Sequence, residues 1–354
     1  MVQIVIENGN SFYGVSMKGW KIVKPSTLEE VEITEIATGN SVAKVKITKA
    51  LITLPDVMRY SAETDSGEFT PGSYGIGVVS EADANLFGLE KGSHVYIEPT
   101  RACGECYNCK REEEDKCACL LTAGEDFDGF LRDFTAVDSA KLYPLPESVS
   151  DFQALFIGHI SLAVAVIDKL EIQKGDYVAI IGANNFANIL AQLLIYYQAV
   201  PIVVTQNKEN YEIAKKSGIY YILGPDDNWQ KEVASITGGR MTKSAVYVSD
   251  CSIPANKAFS LASFSADVAF TGFSYKNSAI SLGQAMKKQI DIHCINTGSG
   301  NVSTSINLLA NKAIDLSHLP IKTAKYADVP AVFEESAKML ENDGTVYETV
   351  IELL

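Results

Sequence analysis

Apolar and polar residues alternate with a period of two along the first part of the chain. Val2, Ile4 and Ile6 open this pattern, which is that of a half-buried strand, and a second start follows at Met17. Strand-like runs recur at 42–48, 75–79, 94–97 and 133–143, separated by turn sequences such as Thr70-Pro-Gly-Ser and Glu90-Lys-Gly-Ser. Several short strands with no helical period predict a β-rich, partly closed N-terminal domain. Near residue 150 the texture changes. Residues 152–169 read as a buried helix, and from Tyr177 the order becomes strand 177–181, helix 185–198, strand 201–205, helix 208–216 and a strand near Ile219. Further strands are predicted near 244–248, 267–271 and 289–295. Residues 303–312 and 328–342 read as helices and 345–353 as a closing strand. Alternating strands and helices predict a doubly wound parallel sheet covered on both faces, so the fold class is α/β.

The length of 354 residues suits two domains. Apolar residues at 47% and charged residues at 21% are ordinary for globular chains. A formal net charge of −14 argues against nucleic acid as a partner. The most apolar stretch, 177–204, is broken by Asn184, Asn185, Asn188, Gln192 and Gln198, which a bilayer helix tolerates poorly. With no signal-peptide pattern at the N-terminus, the expectation is a cytoplasmic protein without a membrane partner. Of seven cysteines, five lie within 103–119, which favours thiolate ligation over a disulfide framework.

Cys103, Cys106, Cys109 and Cys117 form a C-x2-C-x2-C-x7-C run, with Gly104 and Asn108 as turn residues between them. Four thiolates at this spacing suit one tetrahedral zinc ion with no open position, hence a structural site. An iron–sulfur cluster and a set of free surface thiols are the competing readings. Cys119 reads as a spare thiol, and Cys251 and Cys294 as core residues in apolar surroundings.

These residues carry a family likeness. The chain resembles the zinc-containing alcohol dehydrogenases of the medium-chain dehydrogenase/reductase family from about Met17 onward. Besides the cysteine lobe, the likeness rests on Pro71-Gly72, Gly88-Leu-Glu-Lys-Gly92, Asp128-Gly-Phe-Leu-Arg-Asp-Phe134, Leu142-Tyr-Pro-Leu-Pro146, Lys174-Gly-Asp176 and Thr237-Gly-Gly-Arg240. It implies a GroES-like catalytic domain built from both chain ends (1–152 and 296–354, with 101–120 as the zinc lobe and 1–16 as an added strand). A Rossmann domain over 153–295 is implied between them. Family members pair into dimers or tetramers, so a homo-oligomer acting on a small-molecule substrate is expected.

The turn after strand 177–181 reads Gly182-Ala-Asn-Asn-Phe-Ala187. Gly182 fits the first position of a dinucleotide fingerprint, Asn184 replaces the second glycine and Ala187 the third, so Gly182, Asn184, Asn185, Phe186 and Ala187 are the candidate cradle. A Rossmann domain that has lost its cofactor is the alternative. Thr205 stands where an enzyme using NAD carries an acidic residue, and Lys208 follows. This pair favours NADP(H) over NAD(H), although Lys208 reads equally as a solvated first-turn residue.

The family's second, catalytic zinc is bound by a Cys near residue 54, a His in a Gly-His-Glu turn, and a third Cys, Asp or Glu. On this chain those positions fall at Leu54, at Ser73 within Gly72-Ser73-Tyr74, and near His159. Leu54 cannot ligate, and one imidazole cannot hold a catalytic zinc alone. The catalytic zinc is therefore expected to be lost. Asp56 and Arg59 stand where relay residues are expected. His159 reads either as a general acid or as a histidine satisfied inside a buried helix. Tyr74 and Arg59 are candidate oxyanion stabilisers, with packing as the plainer role for Tyr74. The leading expectation is an NADP(H)-dependent oxidoreductase acting on a small carbonyl, alcohol, or activated C=C or C=N substrate. An ordinary zinc alcohol or polyol dehydrogenase with rearranged ligands is one alternative. A non-catalytic sensor or scaffold is the other.

Overall fold

The computed structural model describes residues 3–7, 10–37, 42–62, 68–82, 88–248, 253–271, 279–341 and 346–353. They fall into two compact units, Met1–Phe156 with Ile321–Leu354, and Ile157–Pro320.

In the first unit, β1 (Gln3–Glu7), β2 (Asn10–Lys24) and β3 (Thr27–Ala37) form an antiparallel sheet. The 1–16 segment is thus not one added strand. It holds β1 and the first part of a strand that continues unbroken to Lys24. Next come β4 (Val42–Ile52), α1 (Leu54–Tyr60), β5 (Tyr74–Ala82), β6 (His94–Ile97), the short pair β7 (Thr100–Arg101) and β8 (Leu121–Thr122), β9 (Phe134–Asp138), β10 (Leu142–Pro144) and α2 (Asp151–Ala154). The order β10-β6-β5-β4 continues into two strands from the chain's end, β18 (Thr349–Glu352) and β17 (Lys322–Lys325), and β9 pairs with β4. Val45, Ile47, Ala50, Ile52, Val79, Val95, Ile97 and Ile351 meet in its core. Tyr60 of α1 packs 5.2 Å, ring to ring, from Phe333 of the C-terminal helix Val329–Glu341.

The second unit begins with α3 (Ile157–Lys169), which a break at Leu155–Phe156 separates from α2. It continues through β11 (Tyr177–Ile181), α4 (Asn185–Tyr196), β12 (Val200–Val204), α5 (Lys208–Lys216), β13 (Tyr221–Leu223), α6 (Trp229–Ile236), β14 (Thr242–Val248), α7 (Asn256–Leu261), β15 (Ala262–Thr271), α8 (Leu282–Lys288), β16 (Asp291–Ile295) and α9 (Val302–Ala310). Its parallel sheet has the order β13-β12-β11-β14-β15-β16, which is the doubly wound Rossmann arrangement. Val178, Ala179, Ile180 and Ile181 are fully buried, as expected of a central parallel strand covered on both faces. Asn188 and Gln192, buried polar residues on α4, are bonded to each other. Gln192 Nε2 donates to Asn188 Oδ1 (2.8 Å) and to the Asp315 carbonyl (2.9 Å), and the Asp315 N–H donates back to Gln192 Oε1 (2.7 Å).

Two expectations need correction. The chain returns to the first unit at Ile321, not at 296, because α9 packs on α3. Ser161 Oγ lies 2.9 Å from Ser305 Oγ, and Gly298 lies so close to Ser161 and Leu162 that a Cβ there would meet backbone at 2.1 Å. Cys294 is exposed and not core, because β16 is the sheet's edge strand. Cys251 lies outside the described residues.

Candidate functional site

The cysteine lobe lies between β7 and β8. Tight turns bring its four sulfurs together, all within 4.8 Å of one another. Cys103–Cys109, Cys106–Cys109 and Cys106–Cys117 separations are 3.9, 3.4 and 4.0 Å. Four thiolates around zinc at about 2.3 Å stand roughly 3.8 Å apart, so the spacing fits that ion. The Cys106 N–H donates to Cys103 Sγ (3.4 Å) and the Cys103 N–H to Cys117 Sγ (3.3 Å), the support that thiolates need. Backbone amides of Cys109 and Ala118 lower the Cys106 thiol to about 6, while desolvation and neighbouring thiols push Cys109 up to about 12. Such crowded thiols ionise together only around a cation. Cys119, outside the cluster, is exposed.

The turn at Gly72-Ser73 and the start of α1 meet at one carboxylate. Asp56, 1% exposed, accepts hydrogen bonds from the Thr53 N–H (2.8 Å), Thr53 Oγ1 (2.9 Å), the Gly72 N–H (2.8 Å) and Ser73 Oγ (3.3 Å). Gly72 has φ +96°, a conformation costly for other residues, and this turn delivers its N–H to Asp56. Burial raises the Asp56 pKa, and the donors from Thr53, Gly72 and Ser73 oppose that. Thr53 and Ser73 are joined through this carboxylate, since both hydroxyls converge on Asp56 Oδ2. Three of the four donors fall on Asp56 Oδ2 and one on Oδ1, so the carboxylate is largely spent on its neighbours, and neutral hydroxyls are poor ligands. These residues do not fit a catalytic zinc. Among the described residues, the four cysteines are the group of His, Cys, Asp or Glu side chains gathered closely enough to hold a metal.

Tyr74 begins β5 next to this knot. Burial, with the charges of Glu348 and Asp56, pushes its phenol well above the ordinary tyrosine value, so it stays protonated and can donate a hydrogen bond. The Arg59 guanidinium stacks 4.3 Å from the centre of the Phe69 ring, a contact that leaves its N–H donors at the edge of the plane. His159 belongs to the second unit, half-buried in the first turn of α3.

In the Gly-rich turn, Gly182 has φ +118° and donates its N–H to the Val204 carbonyl (3.0 Å), turning the chain from β11 into α4. Asn184 is not left-handed. At φ −74° and ψ −177° it is the helix N-cap, and its Oδ1 accepts from the Ala187 N–H at 2.9 Å. Asn207 and Asn228 cap α5 and α6 in the same way. Asn184 thus occupies one amide of the cradle, that of Ala187, at the N-terminal end of α4. Asn185, Phe186 and Ala187 are buried.

Thr205 is turned inward. It is 3% exposed, accepts from the Asn207 N–H (3.0 Å) and donates to the Asn207 carbonyl (3.4 Å), closing a turn on itself. Lys208 is exposed at the start of α5. Sequence reasoning missed a cavity of about 570 Å³ whose lining includes Gln206, Pro225, Asp226, Trp229, Lys257 and Ser260. Gln206 and Pro225 lie just past the C-terminal ends of β12 and β13, where doubly wound sheets place their ligands. That rule, applied to the turn Gly224-Pro-Asp-Asp227, was the signal available. A left-handed glycine at the strand exit, a helix N-terminus and this cavity fit a dinucleotide.

Fold and cysteine lobe together define a class: dehydrogenases joining a β-rich domain with a structural metal lobe to a Rossmann domain. Two family models match, the alcohol dehydrogenase GroES-like domain over residues 39–147 and the zinc-binding dehydrogenase over 187–311, together about two-thirds of the chain. The chain belongs to the zinc-containing alcohol dehydrogenase-like group of the medium-chain dehydrogenase/reductase family, and its type is that of an NAD(P)-dependent oxidoreductase. It is 24% identical over 306 residues to a zinc-type alcohol dehydrogenase-like protein of Haemophilus influenzae, covering 86% of each chain. It is 27% identical over 217 residues to an L-threonine 3-dehydrogenase of Pyrococcus horikoshii, covering 60% of this chain and 62% of that one. An alcohol dehydrogenase of Escherichia coli CFT073, solved with NADH, superposes with a TM-score of 0.82 at 22% identity, covering 96% of this chain and 99% of that chain. No helix among the described residues is long and apolar enough to cross a membrane.

Proposed function

We propose that the protein is an NADP(H)-dependent oxidoreductase that keeps one structural zinc at Cys103, Cys106, Cys109 and Cys117 and works without a catalytic zinc. Its substrate is a small carbonyl or alcohol, or an activated C=C or C=N compound. The observation that carries this reading is the Asp56 knot, where the residues at the catalytic-metal position satisfy one another. NADP(H) is favoured because no carboxylate stands at position 205 to repel a 2′-phosphate. When bound, the nicotinamide supplies or accepts the hydride. The Gly182 turn and the first turn of α4 hold its pyrophosphate, and His159 moves the accompanying proton. On the first unit, Tyr74 remains a neutral hydrogen-bond donor. The exposed edge strand β16, with Ile292 and nearby Phe264 and Met286, suits pairing with a second copy into a dimer.

The Asn184 cap favours a second reading, a non-catalytic member that senses or scaffolds, because it takes an amide that a pyrophosphate would use. Titration with NADPH and NADH, followed by nicotinamide fluorescence, separates the two. The proposal expects NADPH to bind about tenfold more tightly than NADH. Absence of binding by either at millimolar concentration would leave the second reading. A turnover screen with carbonyl, enone and imine substrates, run with and without a chelator that spares the cysteine site, then tests the reaction. Activity that vanishes with the chelator and returns with added zinc contradicts the metal-free mechanism.

A further inference from the structure

We infer that Lys257, on α7 and remote from the Gly-rich turn, sets the preference between the two dinucleotides. The inference rests on the reading that this chain binds a dinucleotide. Position 205, which the sequence marks as the reader of the adenosine ribose, has its hydroxyl folded onto Asn207 and lies almost wholly buried. Lys208 does not line the cavity at the ends of β12 and β13, whereas Lys257 does, and it shares that lining with Gln206, the residue directly after Thr205.

Lys257 has a fixed platform. Its ammonium sits 5.7 Å from the centre of the Trp229 ring, a range in which the ring face attracts a cation. Trp229 is itself 8% exposed and locked by its indole N–H, which donates to the Gly224 carbonyl. The lysine stem is solvent-exposed, so its head group can meet a ligand without unpacking the helix. Two carboxylates share the cavity. Asp226 and Asp227 are both exposed and both oppose a phosphate; Asp227 also accepts the Gly224 N–H at 2.7 Å, so Asp226 is the one that can be neutralised without disturbing the turn.

The charges give a direction. A ribose 2′-phosphate carries nearly two negative charges at neutral pH, and a 2′-hydroxyl carries none. Lys257 therefore acts on NADPH far more than on NADH, and Asp226 acts in the opposite sense. The test uses the full chain and fluorescence titration with NADPH and NADH for wild type, Lys257→Met, Lys257→Arg, Lys208→Met and Asp226→Asn. Lys257→Met is expected to weaken NADPH about tenfold and to leave NADH within about twofold. Lys257→Arg should restore most of the NADPH affinity, and Asp226→Asn should tighten NADPH about threefold. An unchanged NADPH-to-NADH ratio in Lys257→Met overturns the inference. So does a ratio that collapses in Lys208→Met and not in Lys257→Met. Wild type that binds neither dinucleotide overturns the proposed function itself, a distinct failure.

Discussion

The cysteine lobe and the Asp56 knot are built on opposite plans. In the lobe, four sulfurs crowd within 4.8 Å of one another, and their mutual repulsion as thiolates is relieved only by a cation at their centre. In the knot, one buried carboxylate is met by four donors from Thr53, Gly72 and Ser73. Both sites lie in the first unit, and both depend on tight turns. The difference teaches that ligand-like sequence position is not ligand capacity. What decides is whether the local hydrogen bonds leave charge over.

Breaking the lobe should have the largest effect. Stripping zinc with a strong chelator, or Cys106→Ser, is expected to lower stability by at least about 4 kcal/mol, because metal binding and folding of the lobe are coupled. Chemical denaturation with and without added zinc reads this out. A variant as stable as wild type would show that the thiols hold nothing.

The knot should respond less, and with a distinctive pH dependence. Asp56→Ala leaves several buried donors without a partner and is expected to cost about 3 kcal/mol. Burial raises the Asp56 pKa in the folded protein above its unfolded value. A raised folded pKa means the folded state binds the proton more tightly. Its contribution to stability is present below the unfolded value and is lost as pH rises through the folded one. Asp56→Asn does not titrate, so its deficit relative to wild type should shrink between pH 4 and pH 7. Urea melts across that range check the sign, and a growing deficit would mean that the donors from Thr53, Gly72 and Ser73 outweigh burial.

The smallest effect sharpens the comparison from the second unit. Asn184→Gly removes the cap but frees the Ala187 amide. Stability should change by only a few tenths of a kcal/mol, since glycine is a tolerated cap, while dinucleotide affinity rises several-fold. Titration of the variant against NADPH shows whether the cap and a pyrophosphate compete.

Much of the fold was legible because burial on both faces leaves a plain trace. The run Tyr177–Ile181 could only be a central strand, and the structure has it there. The return point near residue 296 was not legible, because α9 has the apolar stripe of any surface helix and only its contact with α3 assigns it. Cys294 misled for a related reason: apolar neighbours suit an interior strand and an edge strand equally. At the knot, sequence spacing marked Asp56 and Ser73 but not Thr53, their common neighbour. The start of α1 makes Thr53 the helix cap, and that turns its side chain toward Asp56. Lys257 and Trp229 were out of reach, since loops far apart in sequence assemble their cavity.

Metal stoichiometry on the purified full-length chain bears most directly on the central claim. One zinc per chain in wild type and none in Cys106→Ser is the expected result. Two zincs in wild type, or one that survives the cysteine substitution, would mean that a second metal is held elsewhere and would contradict the account.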